Sequence, residues 1–292
     1  MDEHRELICR FFHESHVSFE PESLPWPDLD GEVLARLRSL PVWDEAVSTE
    51  RRTARLVTAY AERVRDPLLR DAVALQGHEE SRHARLLDVL TGRYAIEACS
   101  DDDGLVPERL EWAFLRIGYG ECLDSFFAFG LFEIAKRSKL FPRELVVLFD
   151  QVLQEEARHI IFFVNWVAYE RSKRSLPLRP FFSLRCLGAI LAQVWSRVRG
   201  LLGMEQHHFT KGHVAIDADV TPRSFLEVCL TENERRLGRY DERLLRPTLV
   251  PSLVRKLLRV LPAAPDMAVE PFALPIVLGP RSSSTGTRAS PV

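Results

Sequence analysis

His78-Glu79-Glu80-Ser81-Arg82-His83 and Gln154-Glu155-Glu156-Ala157-Arg158-His159 carry the same short pattern, Glu-Glu-x-Arg-His. On a helix, residues three apart share a face, so Glu80 with His83, and Glu156 with His159, can each offer a carboxylate and an imidazole to one metal ion. One Glu-x-x-His is weak evidence, because both residue types are common on solvated helices. There, Glu79 with Arg82 and Glu155 with Arg158 would be ordinary surface ion pairs. Two copies on partner helices weigh heavily against that reading.

The flanking sequence supplies those helices. From Trp43 to about Arg65, the positions Glu50, Ala54, Val57, Ala61 and Val64 fall on one face at the 3.6-residue period, and Asp66-Pro67 stops the run. A second helix is expected from Leu68 to Leu90, ended by Thr91-Gly92. A polar connection containing Ser100 to Gly104 leads to a third, from about Pro107 to Arg137, whose inward face carries Phe114, Gly118, Glu121, Ser125, Ala128 and Phe132. After Leu140-Phe141-Pro142 a fourth runs from Arg143 to Ser172. Two long hairpins joined by one crossover define an all-α fold with a four-helix bundle over residues 43–172.

Residues 1–42 read as an N-terminal helical extension of packing or lid material, with a Pro-rich stretch at Pro21, Pro25 and Pro27 and a short helix from Asp30 to Leu40. Residues 173–262 read as a C-terminal helical extension with helices over 181–204, 222–245 and 248–260, the second opened by Thr221 as N-cap and Pro222. Residues 263–292, Ser- and Thr-rich from 281, read as a disordered tail.

Each remaining bundle helix should supply one glutamate at the depth of the doublets. Glu50 lies 16 residues before the first turn and Glu80 14 after it, a mismatch of ~3 Å at ~1.5 Å per residue. Glu121 lies 19 before the second turn and Glu156 16 after it, a mismatch of ~4.5 Å. Long side chains absorb both. The competitors Glu62 and Glu133 sit only 4 and 7 residues from their turns.

The set Glu50, Glu80-x-x-His83, Glu121, Glu156-x-x-His159 resembles the di-iron carboxylate proteins of the ferritin-like superfamily, in which two helices give a Glu each and two give Glu-x-x-His. The resemblance covers residues 43–172 and is carried by six residues in order. It implies a ferritin-like bundle with additional N- and C-terminal helices. Around the ligands, Glu79 precedes His83 by four and Glu155 precedes His159 by four, so a carboxylate can fix each imidazole while Arg82 and Arg158 balance charge. Soluble methane monooxygenase and its relatives have a similar arrangement, with aspartate usually at the positions of Glu79 and Glu155. Four carboxylates and two neutral imidazoles suit two iron ions, or manganese in one or both places. Four glutamate charges offset those of two divalent ions, easing burial of the site. Small residues near Glu121, namely Gly118, Ser125 and Ala128, point to a substrate pocket walled by aromatic side chains.

The other signals are quieter. Net charge is −3, with 46% hydrophobic and 28% charged residues, which fits a globular chain and disfavours nucleic acid as a partner. Five scattered cysteines in no metal-type spacing, and a charged N-terminus, predict a reducing, cytoplasmic location. No segment is long enough to span a membrane. Tyr60 and Tyr119 read as packing residues, Cys122 as a small core residue, and His207, His208 and His213 as a polar connector. Asp124 is either a second acceptor layer or a surface charge.

The resemblance therefore leads to an O2-activating non-haem di-iron oxygenase or oxidase acting on a small organic substrate, served by an electron-donor protein. A histidine one turn before the second Glu-x-x-His, found in N-oxygenases of this superfamily, is replaced here by Val152. Rubrerythrin-like peroxidase or ferritin-like iron handling is a second reading, and a metal-stabilised non-enzymatic scaffold a third. The C-terminal helices can cap the pocket, receive a reductase or form a homodimer interface.

Overall fold

A computed structural model describes residues 2–99, 104–137, 141–201 and 220–262. These are all-helical, with no strand among them. In chain order the helices are α1 (Asp2–Glu14), α2 (Gly31–Ser39), α3 (Trp43–Ala61), α4 (Pro67–Arg93), α5 (Leu110–Arg137), α6 (Arg143–Lys173), α7 (Arg179–Leu201), α8 (Pro222–Leu237) and α9 (Leu249–Leu258). None of them is long and apolar enough to cross a membrane.

Helix boundaries follow local chemistry. Asp66 accepts from the Leu69 amide and Pro67 opens α4, while Asp30 caps α2 through the amides of Glu32 and Val33. Helix α3 stops at Ala61, short of the expected Arg65. There the Arg63 and Val64 amides turn back onto the carbonyls of Tyr60 and Ala61, a tightened turn forced by the approach to Pro67. Helix α5 starts at Leu110, three residues after Pro107. The largest departure is α8, expected to reach residue 245 and ending at Leu237. Asn165 of α6 donates to the Leu245 carbonyl at 2.9 Å and accepts from the Leu245 amide at 2.9 Å, pinning this stretch as a turn. The residue stretches holding His207, His208 and His213, and the tail 263–292, lie outside the described residues.

Helices α3, α4, α5 and α6 form the central bundle. Helix α3 packs along α4 and against α5, α5 packs on α6, and the backbones of α4 and α6 approach one another sparsely. Helix α1 lies over the gap between α4 and α6, while α7 and α8 cover α5. Gly130 allows the closest part of the α5–α8 contact, since a Cβ there would meet the Cys229 backbone at 2.9 Å. Two apolar clusters divide the bundle. One gathers Val57, Ala72, Val73, Phe114 and Trp166, and the other Val47, Leu87, Leu90 and Leu145. Polar residues 50, 80, 83, 156 and 159 occupy the level between them.

Candidate metal centre

All six sequence-predicted donors meet at that level. Glu50, Glu80, His83 and Glu156 form one group and Glu80, Glu121 and His159 a second, with donor atoms within 4.8 Å of one another inside each group. Glu80 belongs to both. The Nδ1 of His83 stands 3.7 Å from Glu50, 3.9 Å from Glu80 and 3.2 Å from Glu156. The Nδ1 of His159 lies 2.9 Å from Glu80 Oε1 and 3.8 Å from Glu156 Oε1. The two imidazoles face across the centre with centroids 5.7 Å apart. The rejected glutamates are elsewhere: Glu133 pairs with Lys136 and Arg137, and Glu62 caps the end of α3.

Donors of this kind need a cation to be at ease. Buried Glu80 Oε1, both oxygens of Glu121 and the Nδ1 atoms of His83 and His159 have no hydrogen-bond partner, although some lie within 3 Å of each other. An unsatisfied buried polar atom costs about 1–3 kcal/mol. Five of them aimed at one small volume fit residues shaped to hold a metal ion, with hard oxygen and borderline nitrogen donors.

The layer behind the donors is wired across helices. Expecting Glu79 to serve His83, and Glu155 to serve His159, on their own helices needs correction. His83 Nε2 pairs with Glu155 at 2.8 Å, and His159 Nε2 with Glu79 at 2.9 Å. The reason is geometric: with Nδ1 turned to the centre, Nε2 at the far side of each ring points to the opposite helix. Arg82 Nη2 donates to the same Glu155 at 2.7 Å, and Arg158 donates to the same Glu79. Each Arg-His pair thus grips one carboxylate of the partner helix. Because α4 and α6 stand apart, the glutamate chain length spans a gap that side chains alone bridge.

Three residues of the N-terminal segment join this layer, and the sequence carried no local sign of them. His16 hydrogen-bonds Glu79 through Nδ1. Phe12 lies 4.5 Å from the Arg158 guanidinium, and Phe19 lies 4.1 Å from that of Arg82. Both arginines, both carboxylates and both histidines are at most 3% exposed.

The expected pocket beside Gly118 is closed. The Phe163 ring occupies the space that a Gly118 side chain would take, and Ser125 is buried. An open cleft of about 690 Å³ lies instead along α3 and α4. It is lined by Ala54, Ser81 and Ala84 together with Arg51, Arg55 and Arg63, and none of the six donors borders it. Tyr60 stacks on Phe114 at 4.5 Å and Tyr119 packs edge-on to Phe163 at 5.0 Å, as packing residues do. Asp124 pairs at 3.0 Å with Arg197 of α7, on the outside of the bundle.

Charge decides the protonation of the metal-free centre. Burial pushes the Glu50 carboxyl from 4.5 up to about 7 against the pull of His83, and raises Glu121 well above its ordinary range beside Glu80 and Glu156. Burial would lower both imidazoles, but the hydrogen bond to Glu155 and the nearby Glu156 and Glu50 carboxylates outweigh it at His83, and the Glu80 charge with Glu79 outweighs it at His159, so both rise. Burial would raise Glu79 and Glu155, yet the His159–Arg158 and His83–Arg82 pairs hold them below the usual carboxylate range. The outer layer is therefore ionised in balanced pairs, and in the inner one Glu50, Glu121 and the two imidazoles hold protons that a metal would displace, while Glu80 is held below its ordinary range, against burial, by His159 and His83.

Groups that hold protons more tightly in the folded chain add stability that is complete below their unfolded values and disappears as pH climbs through the folded ones. For Glu50 that window runs from 4.5 to about 7, and the raised imidazoles extend it above 6.5. The metal-free protein is expected to melt at progressively lower temperature as pH rises through neutrality. Added divalent metal should release protons and stabilise more at higher pH. Calorimetric titration in two buffers of different ionisation enthalpy measures the release; metal uptake without proton release would contradict the scheme.

The chain matches no family model, no curated protein and no solved structure.

Proposed function

We propose that the chain is an O2-activating non-haem di-iron oxygenase or oxidase of the ferritin-like class, acting on a small organic substrate. The observation that carries this reading is the pair of buried donor groups sharing Glu80, with unpartnered carboxylate and imidazole atoms at their centre. Glu50, Glu80, His83, Glu121, Glu156 and His159 would hold the ions. When bound, a reduced iron pair supplies the electrons that dioxygen activation requires.

The protein's own residues have definable tasks. Glu155 and Glu79 accept the Nε2 protons of His83 and His159, which leaves each Nδ1 lone pair for a metal. Both oxygens of Glu121 lack a protein hydrogen bond, so its carboxylate would be available to a metal without breaking one. The apolar clusters flank the level of the site, where Glu80, His83 and His159 are buried while Glu50 and Glu156 keep 23% and 14% of their side chains exposed.

The test is anaerobic titration with ferrous iron followed by oxygen, read by iron analysis, optical and Mössbauer spectra. Two irons per chain forming a coupled pair that reacts with oxygen once per pair is the expected result. Rapid peroxide consumption without substrate would favour the peroxidase reading, and oxidation of many irons per chain the storage reading. A bound metal inert to both oxygen and peroxide would leave only a scaffold.

A further inference from the structure

Helix α7 turns one apolar face to the protein and another away from it. Phe182, Cys186 and Ala189 are buried, yet Phe181, Leu184, Leu187, Leu191, Val194 and Trp195 are between 44% and 66% exposed. Leu176 and Leu178, in the turn that precedes the helix, extend the strip at 73% and 54%. Isolated exposed apolar residues are ordinary, but eight in one continuous strip mark a contact surface.

We infer that this strip is the interface of a homodimer, formed by antiparallel packing of α7 against α7 of a second copy. Leu184, Leu187, Leu191 and Val194 follow one another in steps of three and four, the spacing of a coiled-coil seam, flanked by Phe181 and Trp195, while Gly188 lies against the Trp112 ring of its own chain. Such a seam seeks a helix carrying a matching one. A twofold axis at the level of Ala189 sets Leu187 of each copy against Leu191 of the other. The same axis opposes Leu184 to Val194. The strip is therefore complementary to itself.

Area and charge agree with this occupant. Eight side chains each exposing on the order of 100 Å² present roughly 800 Å² per copy, the amount a stable two-partner interface buries on each side. A helix lying on an anionic membrane would offer lysines or arginines beside its apolar face. Here Arg185 engages Glu111 at 3.0 Å, Arg197 engages Asp124, and Arg179 donates to the carbonyls of Arg174 and Ser172. These cations are committed within the chain, which leaves a nearly uncharged strip suited to another protein surface.

Sedimentation of the full chain at micromolar concentration should give a dimer, and the double substitution Leu184→Glu/Leu191→Glu should weaken it by roughly a hundredfold or more with helicity unchanged by circular dichroism. Both positions are exposed, so folding should survive. The register has its own readout in a Cys99→Ser background. A Leu187→Cys chain mixed with a Leu191→Cys chain should form a disulfide-linked heterodimer faster than either variant links to itself. A monomeric wild type, a dimer indifferent to the glutamates, monomeric binding to phosphatidylserine vesicles through this face, or faster self-linking at either cysteine would each overturn the proposal. None of these readouts depends on metal or turnover.

Discussion

Glu80→Ala should empty the centre of both ions, because Glu80 is the one carboxylate common to the two donor groups. Loss of a hydrogen-bonding residue behind a metal ligand costs about 10–100-fold in affinity, and loss of a shared ligand should exceed the upper end of that range. The variant should nevertheless fold. In the metal-free chain its removal relieves repulsion at Glu50 and Glu121, where its charge helps raise both groups, but also takes from His159 the charge that most helps it hold its proton. Melting curves should show a folded metal-free variant with no rise on adding metal. Glu133→Ala, at a carboxylate that pairs with Lys136 and Arg137, serves as the control that keeps full metal uptake. Two ions retained by Glu80→Ala after dialysis would remove Glu80 from the ligand set.

Arg158→Met should produce the largest loss of stability. Arg158 and Glu79 are buried together, and taking away one partner of a buried ion pair costs about 3–5 kcal/mol, against which Glu79 keeps its hydrogen bonds with His159 and His16. Phe12 loses its cation partner in the same change. Replacing both, as Glu79→Met with Arg158→Met, should recover much of that loss in urea unfolding, though His159 would lose the acceptor at Nε2. The double variant is therefore expected to be more stable than the single one and still weak in metal binding. Equal stability of Arg158→Met and wild type would show that Glu79 is satisfied without the arginine.

The four long helices and their six inward donors were legible because helical periodicity and depth are properties of sequence alone. Glu50 and Glu121 could be chosen over Glu62 and Glu133 by counting from the turns, and the same count placed the doublets level with them. The crossed pairing was not legible, since a spacing of four suggests a contact within one helix, and only the separation of α4 from α6 shows which carboxylate meets which ring. His16, Phe12 and Phe19 lack any local motif; their role comes from α1 lying over α4 and α6. Gly118 illustrates the opposite error. A small residue frees space only if no neighbour fills it, and Phe163 does. The early end of α8 likewise belongs to Asn165, 80 residues before Leu245.

The exchange of carboxylates between α4 and α6 bears on how the chain is made. As it leaves the ribosome, the first hairpin carries Glu50, Glu80 and His83 but has no acceptor for His83 Nε2 until residue 155 has been synthesised and docked. The second hairpin, cut free, would lack Glu79 for His159 in the same way. Neither half alone can fix its imidazole in this orientation, so only the completed bundle would offer the whole donor set to a metal ion.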